Sequence, residues 1–204
     1  MLDRYALPLL SRPHRAVARA ARAAGLSADT VTVLGCAIGL VGAALIVTEC
    51  YGWALLLFCV NRFLDGVDGA MARQVGPTPR GGFLDIACDY FVYAAYPLAF
   101  AVANPVANAL ASATLLASFI GTASTFLAFA AIHAKAGGEA NPVYPNKAIH
   151  YLGGLTEGTE TIVAFCAMCL WPQYFAMIAY MFAAACFVTM LTRLWTGARA
   201  LTSE

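Results

Sequence analysis

Four aspartates and two arginines crowd into "DGVDGAMARQVGPTPRGGFLDIACD", residues 65–89, in a chain whose middle is otherwise nearly free of charge. Asp65 and Asp68 are three apart and Asp85 and Asp89 four apart, so on helices each pair lies on one face. Between the pairs, "QVGPTPRGG", residues 74–82, carries two prolines and three glycines and is expected to be a loop. The two helices then form a hairpin whose carboxylates point at each other. Clustered carboxylates raise one another's pKa, and each buried ion costs several kcal/mol unless a cation compensates it. With oxygen donors and no Cys or His among them, Mg2+, Mn2+ or Ca2+ fit and Zn2+ does not. Gly69 and Ala72, one turn after the first acids, leave room for a bulky ligand to approach the backbone. Arg73 is placed for a phosphate. Together these residues point to metal-assisted phosphate chemistry.

The elements that must carry this stretch follow from composition. The 204 residues are 61% hydrophobic and 11% charged, against about 45–50% and about 25% in soluble domains. This is a membrane protein, and a net charge of +1 leaves no basic excess for a nucleic-acid partner. Apolar runs near the required ~20 residues occur at 30–51, 53–75, 82–103, 105–133, 154–171 and 173–194. The expected fold is all-α, a six-helix transmembrane bundle. With the N-terminus inside, every Lys and Arg except Arg62 falls on one side, so both termini and the loops at 74–81 and 134–153 are expected to be cytoplasmic. Residues 3–25 mix arginines with Leu, Val and Ala at helical spacing and read as an amphipathic helix in the interface. The first 25 residues hold five arginines and no uninterrupted apolar core, which argues against a cleavable signal. Residues 1–25 are thus a juxtamembrane segment and 26–204 one transmembrane domain. The seven cysteines fall mostly within apolar runs and read as small core residues.

Asp65-x-x-Asp68-Gly69-x-x-Ala72-Arg73, seven residues, then Gly81-x-x-x-Asp85-x-x-x-Asp89 resembles the signature of the CDP-alcohol phosphotransferases, membrane enzymes of phospholipid synthesis. "LSADTVT", 26–32, is similar to the family's segment before the first span, with Ala28 and Asp29 in place of the usual Pro and Asn. The resemblance implies transfer of a substituted phosphoryl group from a CDP-linked donor to a hydroxyl, with CMP leaving. By motif position Asp65, Asp68 and Asp85 hold Mg2+ or Mn2+, two ions about 3.5–4 Å apart, and Asp89 shares one. Asp89 is also the expected general base. Asp65, Gly69, Ala72, Arg73 and Gly81 would receive the nucleotide, with Thr32 as a further candidate. The family likeness and small-residue faces at Ala94, Ala95, Ala99 and Ala113 point to a homodimer.

A second polar cluster, residues 133–161, is the candidate acceptor side, with Lys147, His150, Glu157 and Glu160, and Arg193 further on. A carboxylate there suits a neutral polyol or an amine; the basic residues suit a phosphorylated acceptor. The expected donor is CDP-diacylglycerol and the acceptor a small polar alcohol, in the inner membrane with the active site facing the cytoplasm. The reverse assignment carries the headgroup on CDP and uses a lipid alcohol as acceptor. Two non-catalytic alternatives are an ion-pair network with Arg62, Arg73 and Arg80, and an acid-lined divalent-metal transporter.

Overall fold

The computed structural model describes residues 3–135 and 154–202, and among them it contains helices and no strand. In chain order these are α1 (Asp3–Ala23), α2 (Ala28–Val47), α3 (Tyr51–Val75), α4 (Pro79–Ala103), α5 (Pro105–Lys135), α6 (Gly158–Leu170) and α7 (Phe175–Thr202), with one 3-10 turn at Pro172–Tyr174. Each expected span coincides with one helix from α2 to α7. Four segments are long and apolar enough to cross a bilayer by themselves: Ala28–Val47, Pro79–Ala103, Pro105–Ile132 and Pro172–Leu201. α3 has the length, at 25 residues, but carries Arg62, Asp65, Asp68 and Arg73. α6 has 13 residues, which at 1.5 Å per residue is about 20 Å, short of the ~30 Å hydrocarbon core.

The outer surface is apolar. Val106 is fully exposed, and Leu110, Ile120 and Met181 are about two-thirds exposed or more, which only a lipid solvent tolerates. Inside, α2 packs on α3 and α4, α5 on α4 and α7, and α6 on α3 and α7. Phe100 stacks on Phe175 at 4.2 Å, and Phe58, Tyr96 and Phe165 form a second aromatic group with centroids 5.0–5.7 Å apart. Cys36, Cys169 and Cys186 are buried as expected, Cys88 and Cys166 are half-buried, and Cys50 and Cys59 are exposed; all seven are free thiols. Ala94 and Ala113 face outward, but Ala99 is 6% exposed and belongs to the core, so it is not available to a partner subunit.

The loop between α3 and α4 is shorter than the composition implies. α3 runs to Val75, Gly76 takes φ +95°, a conformation glycine adopts freely, and α4 already begins at Pro79. Pro79 sits at the first helical position, where its missing N–H costs nothing, and the Thr78 hydroxyl accepts from the Gly81 N–H at 3.0 Å. The expected loop at 74–82 therefore contracts to 76–78, and the two acid-bearing helices are joined by three residues.

α1 is the helix that the amphipathic pattern predicts, and in the structure it lies against α3. His14 and Ala18 are buried among Val31, Val67, Ala70 and Met71, and the His14 ring meets Phe63 at 4.9 Å. A Cβ on Gly66 would strike the His14 imidazole. Burial, and secondarily the positive charge of Arg73, lowers the His14 pKa below its ordinary value. The imidazole is seated on the helix turn that carries the first two acids.

Close approach of α2 to the hairpin depends on its glycines. A Cβ on Gly39 would lie 2.9 Å from Val92 Cγ2 and 3.0 Å from Asn61 Cγ. Gly39→Ala is expected to cost about 1–3 kcal/mol by overpacking; thermal melting of the detergent-solubilised protein measures it, and an unchanged midpoint contradicts this packing.

Candidate active site between three helices

Asp65, Asp68 and Asp85 each offer a carboxylate oxygen, and these three atoms lie within 4.8 Å of one another. The hairpin produces this convergence: α3 supplies the first two from successive turns, and α4 supplies the third from the facing side. Asp68 is buried, Asp65 half-buried and Asp85 exposed, so the cluster has a closed floor and an open rim. From α2, the Thr32 hydroxyl donates to Asp68 Oδ2 at 2.5 Å and lies 3.1 Å from the Ala28 carbonyl. Thr32 therefore orients an acid of the cluster.

These residues fit a divalent cation. Ligands around an ion at 2.0–2.1 Å are at most about 4.2 Å apart, so a separation within 4.8 Å needs only slight closure. The donors are all oxygen, as Mg2+ and Mn2+ prefer. Arg62 Nη1 lies 4.0 Å from Asp65 Oδ2.

Asp89 is held differently. Arg62 Nη2 donates to Asp89 Oδ1 at 2.8 Å, Nη1 donates to the Tyr93 hydroxyl at 2.8 Å, and Nε donates to Asn61 Oδ1 at 2.8 Å. The side chain of Arg62 is 6% exposed. Its guanidinium also lies over the Tyr93 and Phe58 rings, 4.9 and 5.9 Å from their centroids. Composition alone marked Arg62 as the one basic residue off the cytoplasmic side, but not its partners. Asn61 and Tyr93 were missed altogether; the available signal was that an arginine inside a span must find a carboxylate, with Asp65 three residues on.

Part of the expected ion-pair network is thus present, centred on Arg62. Arg80 pairs instead with Asp29 at 3.3 Å, and Arg73 folds back over Gly69, where a Cβ would be 3.3 Å from its Nη1. Gly81 lies in the first turn of α4, where a Cβ would be 3.3 Å from Asp29 Oδ1. Ala72 is half-buried on the same helix as Arg73. Gly69, Ala72 and Arg73 thus follow Asp65 and Asp68 along α3, and Gly81 precedes Asp85 by about one turn on α4.

On the acceptor side, Lys147 and His150 lie outside the described residues. Glu157 and Glu160 form a capping box at the start of α6, in which the Glu157 N–H donates to Glu160 Oε2 at 3.2 Å. Helix initiation thus occupies both carboxylates, and it explains why α6 begins at Gly158 and not at the expected 154. Arg193 on α7 is 9% exposed, donates through Nη1 to the Thr122 carbonyl at 3.3 Å and lies over Phe126 at 5.5 Å. Its buried Nε has no hydrogen-bond partner among the described residues.

A model of the CDP-alcohol phosphatidyltransferase family matches residues 26–195. The chain belongs to that family. It is 45% identical over 197 residues to Inner membrane protein YnjF of Escherichia coli (strain K12), covering 97% of this chain and 95% of that one. A Phosphatidylinositol phosphate synthase of Streptomyces avermitilis is 39% identical over 92 residues, 44% of this chain and 37% of that one. The crystal structure of Mycobacterium tuberculosis phosphatidylinositol phosphate synthase (PgsA1) with CDP-DAG bound shares the fold, with a TM-score of 0.71 at 23% identity over 91% of this chain and 94% of that one. The same protein in complex with manganese and citrate superposes with a TM-score of 0.68 at 22% identity, over 90% and 88% of the two chains. This member of the CDP-alcohol phosphatidyltransferase family is accordingly a multi-pass, all-helical membrane enzyme with an acidic cluster suited to a divalent metal.

Asp68→Asn removes the most buried carboxylate charge of the three at constant shape. Mn2+ binding, read by electron paramagnetic resonance, and metal-dependent turnover are both expected to be lost with the melting temperature kept; full Mn2+ binding by the variant would remove Asp68 from the metal set.

Proposed function

We propose that this enzyme transfers the phosphatidyl group of CDP-diacylglycerol to the hydroxyl of a small polar alcohol and releases CMP. The observation that carries this reading is the convergence of Asp65, Asp68 and Asp85 within one signature, on the hairpin of α3 and α4. Support for the donor comes from the shared fold with a synthase that holds CDP-DAG. Support for an inner-membrane location comes from the Escherichia coli relative. The six helices α2–α7 form the membrane bundle, with the short α6 reaching only part-way across, both termini and the acid rim face the cytoplasm, and α1 lies in that interface. Residues 26–204 form one catalytic domain, which pairs as a homodimer through outward small residues such as Ala94 and Ala113.

Asp65, Asp68 and Asp85 would hold Mg2+ or Mn2+, with Asp89 contributing to a second ion, and metal bound there would supply neutralisation of the charge on the pyrophosphate and the departing CMP. The chain does the rest. Gly69 and Ala72 let the nucleotide approach α3, Arg73 and the first turn of α4 at Gly81 meet its phosphates, and Thr32 fixes Asp68. The acceptor oxygen attacks the phosphorus of the phosphatidyl group as the bond from that phosphorus to the CMP oxygen breaks; the acceptor's proton goes to Asp89. Attack in this geometry needs the acceptor seated on the α5–α7 side. Arg193, buried and with an Nε that no described residue pairs, favours an acceptor that carries a phosphate of its own, with Lys147 and His150 as further acceptor contacts.

CMP release from CDP-diacylglycerol with Mn2+ should be highest with phosphorylated polyols such as inositol phosphate or glycerol phosphate, compared with inositol, serine and ethanolamine. Release with an unphosphorylated acceptor alone contradicts the assignment to Arg193, and release only from CDP-choline or CDP-ethanolamine with diacylglycerol reverses donor and acceptor. Arg193→Met should raise the acceptor KM about tenfold or more, the loss of a charge-assisted hydrogen bond of ~1.5–3 kcal/mol, and leave the donor KM unchanged.

A further inference from the structure

Arg62 is not one of the signature residues, yet it is the most completely bonded cation described near the acid cluster. Each guanidinium nitrogen has its own acceptor, and the acceptors come from two helices: Asn61 on α3, and Tyr93 and Asp89 on α4. Asn61 is itself tied to α2, its Nδ2 donating to the Gly35 carbonyl at 2.9 Å in a buried contact. Tyr93 is held edge-on against Phe165 of α6 at 5.7 Å. A guanidinium fixed this way has little freedom of its own, and its planar fork dictates where the carboxylate it binds must lie.

We propose that Arg62 is a positioning residue for the transfer reaction: it pins Asp89 through Oδ1 and presents the other carboxylate oxygen to the acceptor hydroxyl. Its unit positive charge at the floor of the cluster also offsets part of the charge of the acids, so the metal binds less tightly than four carboxylates alone would hold it. This rests on the reading of Asp89 as the proton acceptor. Substrate contact is not required of Arg62, because three hydrogen bonds and two aromatic faces already occupy its guanidinium.

The test uses the full-length protein in detergent or nanodiscs, with Arg62→Met, Arg62→Lys, Asp89→Asn and the Arg62→Met/Asp89→Asn double variant. Arg62→Met should lower kcat about 10–100-fold, the usual effect of removing a residue that orients a site group, with the donor KM within about twofold. Mn2+ affinity, titrated by electron paramagnetic resonance, should instead tighten by up to about tenfold, the effect of deleting one unit charge ~6 Å from a divalent ion even at the dielectric of water. A merely structural arginine would weaken activity and metal binding together. Arg62→Lys keeps the charge and should restore wild-type Mn2+ affinity and part of the lost kcat. The double variant should be no slower than Asp89→Asn, because the arginine acts through that carboxylate.

Unchanged kcat in Arg62→Met overturns the proposal, as does a loss confined to the donor KM, which would make Arg62 a phosphate ligand. Multiplying losses in the double variant, or Mn2+ affinity and melting temperature falling together in both Met and Lys variants, overturn it as well. Full turnover by Asp89→Asn defeats the base assignment and the proposal with it. A wrong donor is distinguishable, because it silences every variant while the Mn2+ titration, which needs no donor, still reads Arg62.

Discussion

Like charges gathered at the edge of a low-dielectric interior must be compensated, and the packing of α2, α3 and α4 is organised around that requirement. The fold supplies one permanent counter-charge, Arg62, and makes it as rigid as a side chain can be, with acceptors on α3 and α4 and a tie to α2 through Asn61. Breaking a buried pair of this kind by removing one member costs about 3–5 kcal/mol, because the other charge is left behind. Asp65, Asp68 and Asp85 converge closely enough to suit a divalent ion. Gly35 and Gly39 follow from the same demand: α2 must lie close enough for its backbone carbonyl to reach Asn61 and for Thr32 to reach Asp68.

The cluster is graded from floor to rim. Arg62 and Asp68 are buried, Asp65 is half-buried, and Asp85 is exposed. Oriented groups at the closed end and accessible groups at the open end are what a reaction with a mobile anionic donor requires, since the charges that stabilise the transition state should be fixed before the substrate arrives. α1 adds to this from behind. With His14 seated on Gly66, the turn carrying Asp65 and Asp68 is buttressed by α1.

Much of this was legible in the sequence for a local reason. The spacing of Asp65, Asp68, Asp85 and Asp89 fixes their helix faces without any knowledge of the bundle, and apolar runs locate α2–α7 because span length is set by the bilayer. What could not be read depends on which helix lies beside which. Asn61 and Tyr93 are ordinary residues until Arg62 is placed between them. Asp89 resembles the other three acids in spacing, and only the tertiary arrangement separates it from the set that converges. Glu157 and Glu160 looked like costly charges at the start of a span; the capping box shows that each serves the backbone of the same turn. The shortened loop at 76–78 was hidden because proline marks a helix start as readily as a loop.

That three-residue connection has a bearing on how the family can change. A helix turns 100° with each residue, and α4 is fixed at its start by the Thr78 cap and Pro79. The angular phase of Asp85 on α4 is therefore set by residue count from that cap. One residue gained or lost between Gly81 and Asp85 would swing the third carboxylate about a quarter-turn away from Asp65 and Asp68. Substitutions along this stretch are graded in their effect, whereas insertions and deletions are all-or-none, so the spacing from Gly81 to Asp85 is a mechanical dimension as much as a chemical one.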